Sequence, residues 1–203
     1  MEKFTIEANQ VLSKDVVSFF HCDYTGMGKE NNPNYLNVVK NDNGTDRTDY
    51  RGVHMDLSDA CKMLEDVLLK DLSQLRNIFG KNVTICSIPR SKAENKYKPS
   101  QLMLKKIISK VSRQLGFEDG TGYIIRTVDT QTTHLKFRVQ NGKSPYKGIT
   151  KETCILSDNI KGKIILLIDD IYTKTVNIDE DCLQALLEEG AKSVYFYAIG
   201  RTV

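Results

Sequence analysis

Long apolar runs, paired cysteines and blocks of like charge are all scarce in this chain. The strongest apolar run, IILLI at 164–168, falls far short of the roughly 20 residues that span a bilayer. The opening stretch MEKFTIEANQ has no apolar core of the signal-peptide type, so a cytoplasmic protein without a membrane partner is expected. Five cysteines, at 22, 61, 86, 154 and 182, form an odd set with no CxxC pair, and no histidine stands at zinc-finger spacing. That pattern argues against both a disulfide framework and structural zinc. Lysine and arginine (29) nearly balance aspartate and glutamate (26), and the two signs are interleaved. Duplex nucleic acid is therefore not the first partner to expect, although a local anionic ligand remains open. There is no internal repeat and no low-complexity tract. The chain has 203 residues, 40% of them hydrophobic and 27% charged, which suits one soluble globular domain with a small appended lobe.

From about residue 82 onward the pattern is readable. KNVTICSIP is a short β-rich run, and KPSQLMLKKIISKVSRQLG follows with Leu102, Leu104, Ile107, Ile108, Val111 and Leu115 at helical spacing between Pro99 and Gly116. TGYIIRTV is a second strand candidate. GKIILLIDD is a third, unbroken as expected of a strand buried on both faces of a parallel sheet. IDEDCLQALLEEG predicts a helix and KSVYFYAIG a further strand. Alternation of this kind predicts an α/β protein with a doubly wound, mainly parallel sheet. Upstream, Leu57, Cys61, Leu64, Leu68, Leu72 and Leu75 form one stripe of a long amphipathic helix capped by Asp56 and closed by Gly80. Residues 1–55 form an N-terminal extension of uncertain fold, with VVSFF and YLNVV read as strands and the polar stretches GKENNPN and KNDNGTDRTDYRG as turn-rich connections. The core is expected over 56–203.

In open α/β sheets ligands sit beyond the carboxyl ends of the strands. Asp169 and Asp170 fall at that edge, and the following loop leads into a helix whose first-turn N–H groups suit a phosphate. Thr173 and Thr175 add hydroxyls there and Lys174 a charge. Paired carboxylates beside a phosphate cradle make sense for a ligand that also carries a ribose diol, whose hydroxyls donate to them. The same residues are equally explained by Asn177 capping the helix with Glu180 in a capping box, and by aspartates surfacing at a strand end. A second loop, SIPRSKAENKYKP, carries Arg90, Lys92, Lys96 and Lys98 against the single acid Glu94, with Ser91 among them. It has the composition to close over a pyrophosphate, or simply to solubilise a surface.

LLIDDIYTKTVNIDEDCLQALLEEGAKSVYFYAIGRTV resembles the C-terminal half of type I phosphoribosyltransferases, in which an apolar strand ends in two acids and a Thr-Thr-Gly-x-Thr loop opens a helix. The resemblance is nearest to the ComF-type, amidophosphoribosyltransferase-like branch, reaches weakly back to about residue 82, and extends to the tail GRTV. It implies that Asp169 and Asp170 bind the ribose hydroxyls of phosphoribosyl pyrophosphate (PRPP). Residues Ile171, Tyr172, Thr173, Lys174, Thr175, Val176 and Asn177 would cradle the 5′-phosphate, and Pro89, Arg90, Ser91 and Lys92 would face the pyrophosphate. It further implies Mg²⁺ held mainly by PRPP, with Asp169 and Asp170 as the protein groups beside it. The expected reaction is phosphoribosyl transfer to an unidentified nitrogen acceptor, with Asp169, Asp170, Arg90 and Lys92 as the catalytic set and Lys96 and Lys98 on a mobile loop. The alternative is a non-catalytic PRPP or nucleotide sensor, or a ComF-like accessory protein in DNA handling, which would admit nucleic acid as a partner. A homodimer with a shared site is compatible with either.

This chain departs from the family pattern at Lys174, Thr175 and Asn177, where the motif has threonine, glycine and threonine. Asp179, Glu180 and Asp181 crowd the same helix start and oppose an anion. The cysteine-rich zinc module of ComF-type proteins is absent, and residue 2 is glutamate where a glutamine amidotransferase needs cysteine. TGMGKENN lacks P-loop spacing. His21, His54 and His134 stand alone, while Thr132, Thr133, His134 and Arg138 follow a strand expected to end at the ligand edge and suit recognition of a base or partner as well as a plain connection.

Overall fold

A computed structural model describes residues 1–26, 29, 32–40, 55–130, 148–174 and 176–203. Its centre is a six-stranded sheet in the order β1-β2-β8-β7-β3-β4. These strands are β1 (Glu2–Ile6), β2 (Val16–Tyr24), β3 (Val83–Ser87), β4 (Glu118–Asp119), β7 (Ile164–Tyr172) and β8 (Ser193–Thr202). Only β1 runs antiparallel to its neighbour; β2, β8, β7, β3 and β4 are parallel. An α/β architecture with a mostly parallel sheet is thus observed. Residues 2–6 and 16–24, placed in the N-terminal extension by sequence, are two strands of this sheet, with Phe19 beside Tyr197 of β8.

Helices cover both faces. On the first lie α1 (Tyr35–Lys40), α2 (Leu57–Phe79) and α3 (Met103–Gln114), whose Leu64, Leu68, Leu72, Leu75, Ile108 and Val111 are fully buried with Leu166 and Ile168 of β7. On the second, α4 (Ile178–Glu188) buries Cys182, Leu183 and Leu186 against Ile165 and Leu167. The alternation of β7 residues between the two clusters is the pleat of a strand buried on both sides, which is why its sequence is apolar without a break. The long helix α2 forms where its leucine stripe predicts. Asp56 accepts a hydrogen bond from the Asp59 N–H (2.8 Å), and Gly80 (φ 78°) ends the helix by donating to the Arg76 carbonyl (2.8 Å).

Three sequence expectations are corrected. YLNVV is not a strand: it is α1, with Tyr35, Leu36, Val38 and Val39 buried at the i, i+1, i+3, i+4 spacing of a helical face. The tyrosine and paired valines favour strands locally, but docking on α2 overrides that preference. TGYIIRTV does not join the central sheet. Its β5 (Ile124–Arg126) pairs antiparallel with β6 (Cys154–Leu156) in a separate two-stranded ribbon, and the two-residue β4 takes the sheet edge beside β3 instead. The proposed capping box at α4 does not form, since the Asn177 side chain makes no capping hydrogen bond and Glu180 turns inward.

Candidate functional site at the carboxyl edge of the sheet

Strand β7 carries Asp169 and Asp170 just before its end, and they point to opposite layers. Asp169 hydrogen-bonds to Asp179 in the first turn of α4, on the second layer. Two carboxyl groups in contact hold together only if they share a proton, and burial supplies the drive. It pushes Asp169 up to about 6, against the pull of Lys40, and Asp179 well above the ordinary carboxylate range. Asp170, buried on the first layer, forms an ion pair with Lys40 at the end of α1, and its Oδ1 accepts from the Ile171 N–H (2.8 Å). Burial also lowers the Lys40 pKa, offset mainly by Asp169. Beside them the Tyr172 hydroxyl donates to Glu180 Oε1 (3.0 Å), and Glu180, also buried, is raised by desolvation.

The loop after β3 emerges on the adjacent strand, joined to β7 by the Ile88 N–H donating to the Ile168 carbonyl (3.0 Å). Arg90 does not face open solvent there. Its Nη1 donates to the carbonyls of Lys40 (2.7 Å) and Gln101 (2.6 Å), and its guanidinium lies 4.3 Å from the centre of the Tyr97 ring. Arg90 therefore ties α1 and the start of α3 to this loop. The Tyr97 hydroxyl accepts from the Lys92 N–H (3.1 Å), while Lys96 is paired with Asp129 (2.6 Å) and Lys98 is exposed.

Past β7, Thr173 and Lys174 begin the loop into α4; Lys174 and Asn177 are exposed, and the Val176 N–H donates to the Thr173 carbonyl (2.9 Å). Thr175 lies outside the described residues, as do His54, Thr132, Thr133, His134, Arg138, half of the TGMGKENN stretch and all of KNDNGTDRTDYRG after Lys40. His21 is remote in role: it contacts Asp71 (2.8 Å), which also accepts from the Tyr197 hydroxyl (2.9 Å). The fold thus brings Asp169, Asp170 and Arg90 to one edge, with Lys40 and Asp179 as partners that local sequence did not assign to them.

The carboxylate edge fits a hard cation in part. Asp169 and Asp179 offer only oxygen donors, and Asp179 Oδ1 is buried without a hydrogen-bond partner among the described residues. No group of three or more metal-ligating side chains occurs among those residues, so Mg²⁺ here needs oxygens from a ligand or water as well. A cleft of about 620 Å³ lies at the other end of the strands, lined by Lys81, Phe117, Glu118, Lys163 and Lys192. Lys163 is already paired with Glu118 (2.7 Å), and the cleft lies away from Asp169, Asp170 and Asp179. Compared with family models and with curated proteins, the chain matches none.

Proposed function

We propose that the carboxyl edge of the sheet binds PRPP with Mg²⁺ and transfers its phosphoribosyl group to a nitrogen acceptor. The observation that carries this is adjacency. The strand ending in Asp169 and Asp170 lies next to the strand that opens the Arg90 loop, and both deliver their loops to the same edge. A ribose diol would donate to the two aspartates, and the Thr173–Asn177 loop with Lys174 would hold the 5′-phosphate. The chain's own groups must rearrange for this: Asp169 releases Asp179, and Asp170 shares Lys40 with the ligand. In the transfer the C1′–oxygen bond breaks with its electron pair leaving on pyrophosphate, a nitrogen lone pair forms the new bond, and the nitrogen loses a proton. Arg90, Lys92 and Lys40 would stabilise that leaving charge and position the group. Mg²⁺, when bound, adds further neutralisation of pyrophosphate oxygens.

A non-catalytic sensor of the same ligand is favoured by one specific observation: Asp170 and Arg90 are both engaged by α1. Calorimetry with PRPP and Mg²⁺ on the wild type and on Asp169→Asn/Asp170→Asn tests both readings. Binding by the wild type alone is expected, and pyrophosphate release with a purine, pyrimidine or amine separates enzyme from sensor. A wild type that binds no PRPP overturns both.

A further inference from the structure

Arg126 closes β5 with only 3% of its surface exposed, and its Nε and Nη1 have no hydrogen-bond partner among the described residues. A guanidinium presents five donors and stays charged at any pH the fold tolerates. Burying one without acceptors is strongly unfavourable, so its location calls for a counter-charge.

Among the described residues, its neighbours along the chain and across the ribbon do not pair with it. Across the ribbon Arg126 pairs with Cys154, a buried thiol whose ionisation is opposed by desolvation and eased by the Arg126 charge. Thr153 is committed, donating from Oγ1 to the Gly148 carbonyl (2.6 Å) and accepting from the Thr150 N–H (3.0 Å). Asp129 is taken by Lys96 (2.6 Å) and the Ala93 N–H (3.2 Å). Asp179 is turned to Asp169. Residues 131–147, next in the chain, contain no aspartate or glutamate and add Lys136, Arg138, Lys143 and Lys147.

The stretch that follows Arg126 is also stitched to the basic loop. Thr130 donates to the Ser91 carbonyl from both its N–H (2.7 Å) and its hydroxyl (3.1 Å), and Asp129 bridges to Ala93 and Lys96. Ile124 and Cys154 belong to the same buried layer as α4.

We propose that Arg126 is an anion-binding residue whose fork receives the phosphate or carboxylate oxygens of a small ligand entering beside the Pro89–Lys92 loop. It requires no ribose contact, so it stands apart from the PRPP assignment. A planar fork takes two oxygens of one anionic group at once, which gives this position selectivity that a surface lysine lacks.

The test is calorimetry and thermal melting of the full chain with inorganic phosphate, pyrophosphate and succinate at constant ionic strength. At least one anion is expected to bind and raise the melting temperature of the wild type. Arg126→Met should weaken that binding by about tenfold or more. Without anion it should melt at or above the wild-type temperature, because it removes a buried unpaired charge. Arg126→Lys, which keeps charge but not the fork, should fall between. A phosphate or pyrophosphate response without a succinate response names the phosphate source, and the reverse names the carboxylate. Anion binding of unchanged affinity and stoichiometry in Arg126→Met, or a wild type indifferent to all three anions, overturns the proposal. If Arg126→Met does not fold, Arg126→Lys decides, and wild-type affinity in that variant overturns it. An Arg126-dependent anion response in a protein that ignores PRPP would remove the ribose assignment alone.

Discussion

Asp169, partly exposed at the end of β7, and Asp179, buried in the first turn of α4, face each other carboxyl to carboxyl, and sharing a proton relieves the repulsion between them. In the unfolded chain each titrates near 3.9. In the fold Asp169 is pushed up to about 6 and Asp179 higher, so the folded state binds protons that the unfolded state has released. The stability drawn from the pair is complete below about pH 4 and is lost as pH rises through about 6 and beyond.

Asp179→Asn should remove that loss, because its amide donates permanently to Asp169. Urea melts are expected to show the variant more stable than the wild type by about 2 kcal/mol at pH 8, with little difference at about pH 4.5. A difference that does not change with pH would refute the shared proton.

Lys40 and Asp170 are the second coupled pair, with Asp170 only 5% exposed. Lys40→Met leaves that carboxylate without its cation and should cost about 3 kcal/mol. Adding Asp170→Asn should recover most of the loss, since the double variant leaves no unpaired charge at position 170. Additive losses in the cycle would mean that the two side chains do not interact.

Asp71, fully buried in the middle of α2, accepts from Tyr197 and contacts His21. Tyr197→Phe should cost about 1 kcal/mol, and Asp71→Ala about 2–4 kcal/mol because it strands both neighbours. If Asp71→Ala proves as mild as Tyr197→Phe, the network is not holding α2 on the sheet.

Lys174 stands exposed where the phosphoribosyltransferase motif has threonine. If its charge holds the phosphate in place of the close backbone approach that the motif's glycine permits, Lys174→Thr should weaken PRPP binding several-fold with no change in melting temperature, as calorimetry would measure. Equal or tighter binding assigns the lysine to the surface alone.

Where periodicity is strong the sequence carried the architecture. The leucine stripe of α2 and the continuous apolarity of β7 each left a signal over many residues. α1 did not, because its six residues include Tyr35, Val38 and Val39, which score as strand until their docking partner is known. β4 has two residues and no pattern at all. The acids of the candidate site were visible as residues but not as pairs, since Lys40 meets Asp170 only after α1 has packed. Arg126 was hidden for a different reason: along IIR the structure buries Ile124 and Arg126 and leaves Ile125 43% exposed, so the charged residue takes an inward place that hydropathy assigns to its neighbour.

The placement of β2 beside β8 has a consequence for synthesis. During translation β1 and β2 emerge well before β8 and can close as a hairpin, yet the parallel partner of β2 is the stretch 193–202. Until those residues leave the ribosome, Ser18, Phe19 and Phe20 present an unpaired edge, the kind of surface that recruits other chains. An interrupted product lacking β8 would therefore retain a partly formed hairpin with adhesive character, and a pause before β8 emerges would prolong the interval in which a holdase has something to guard.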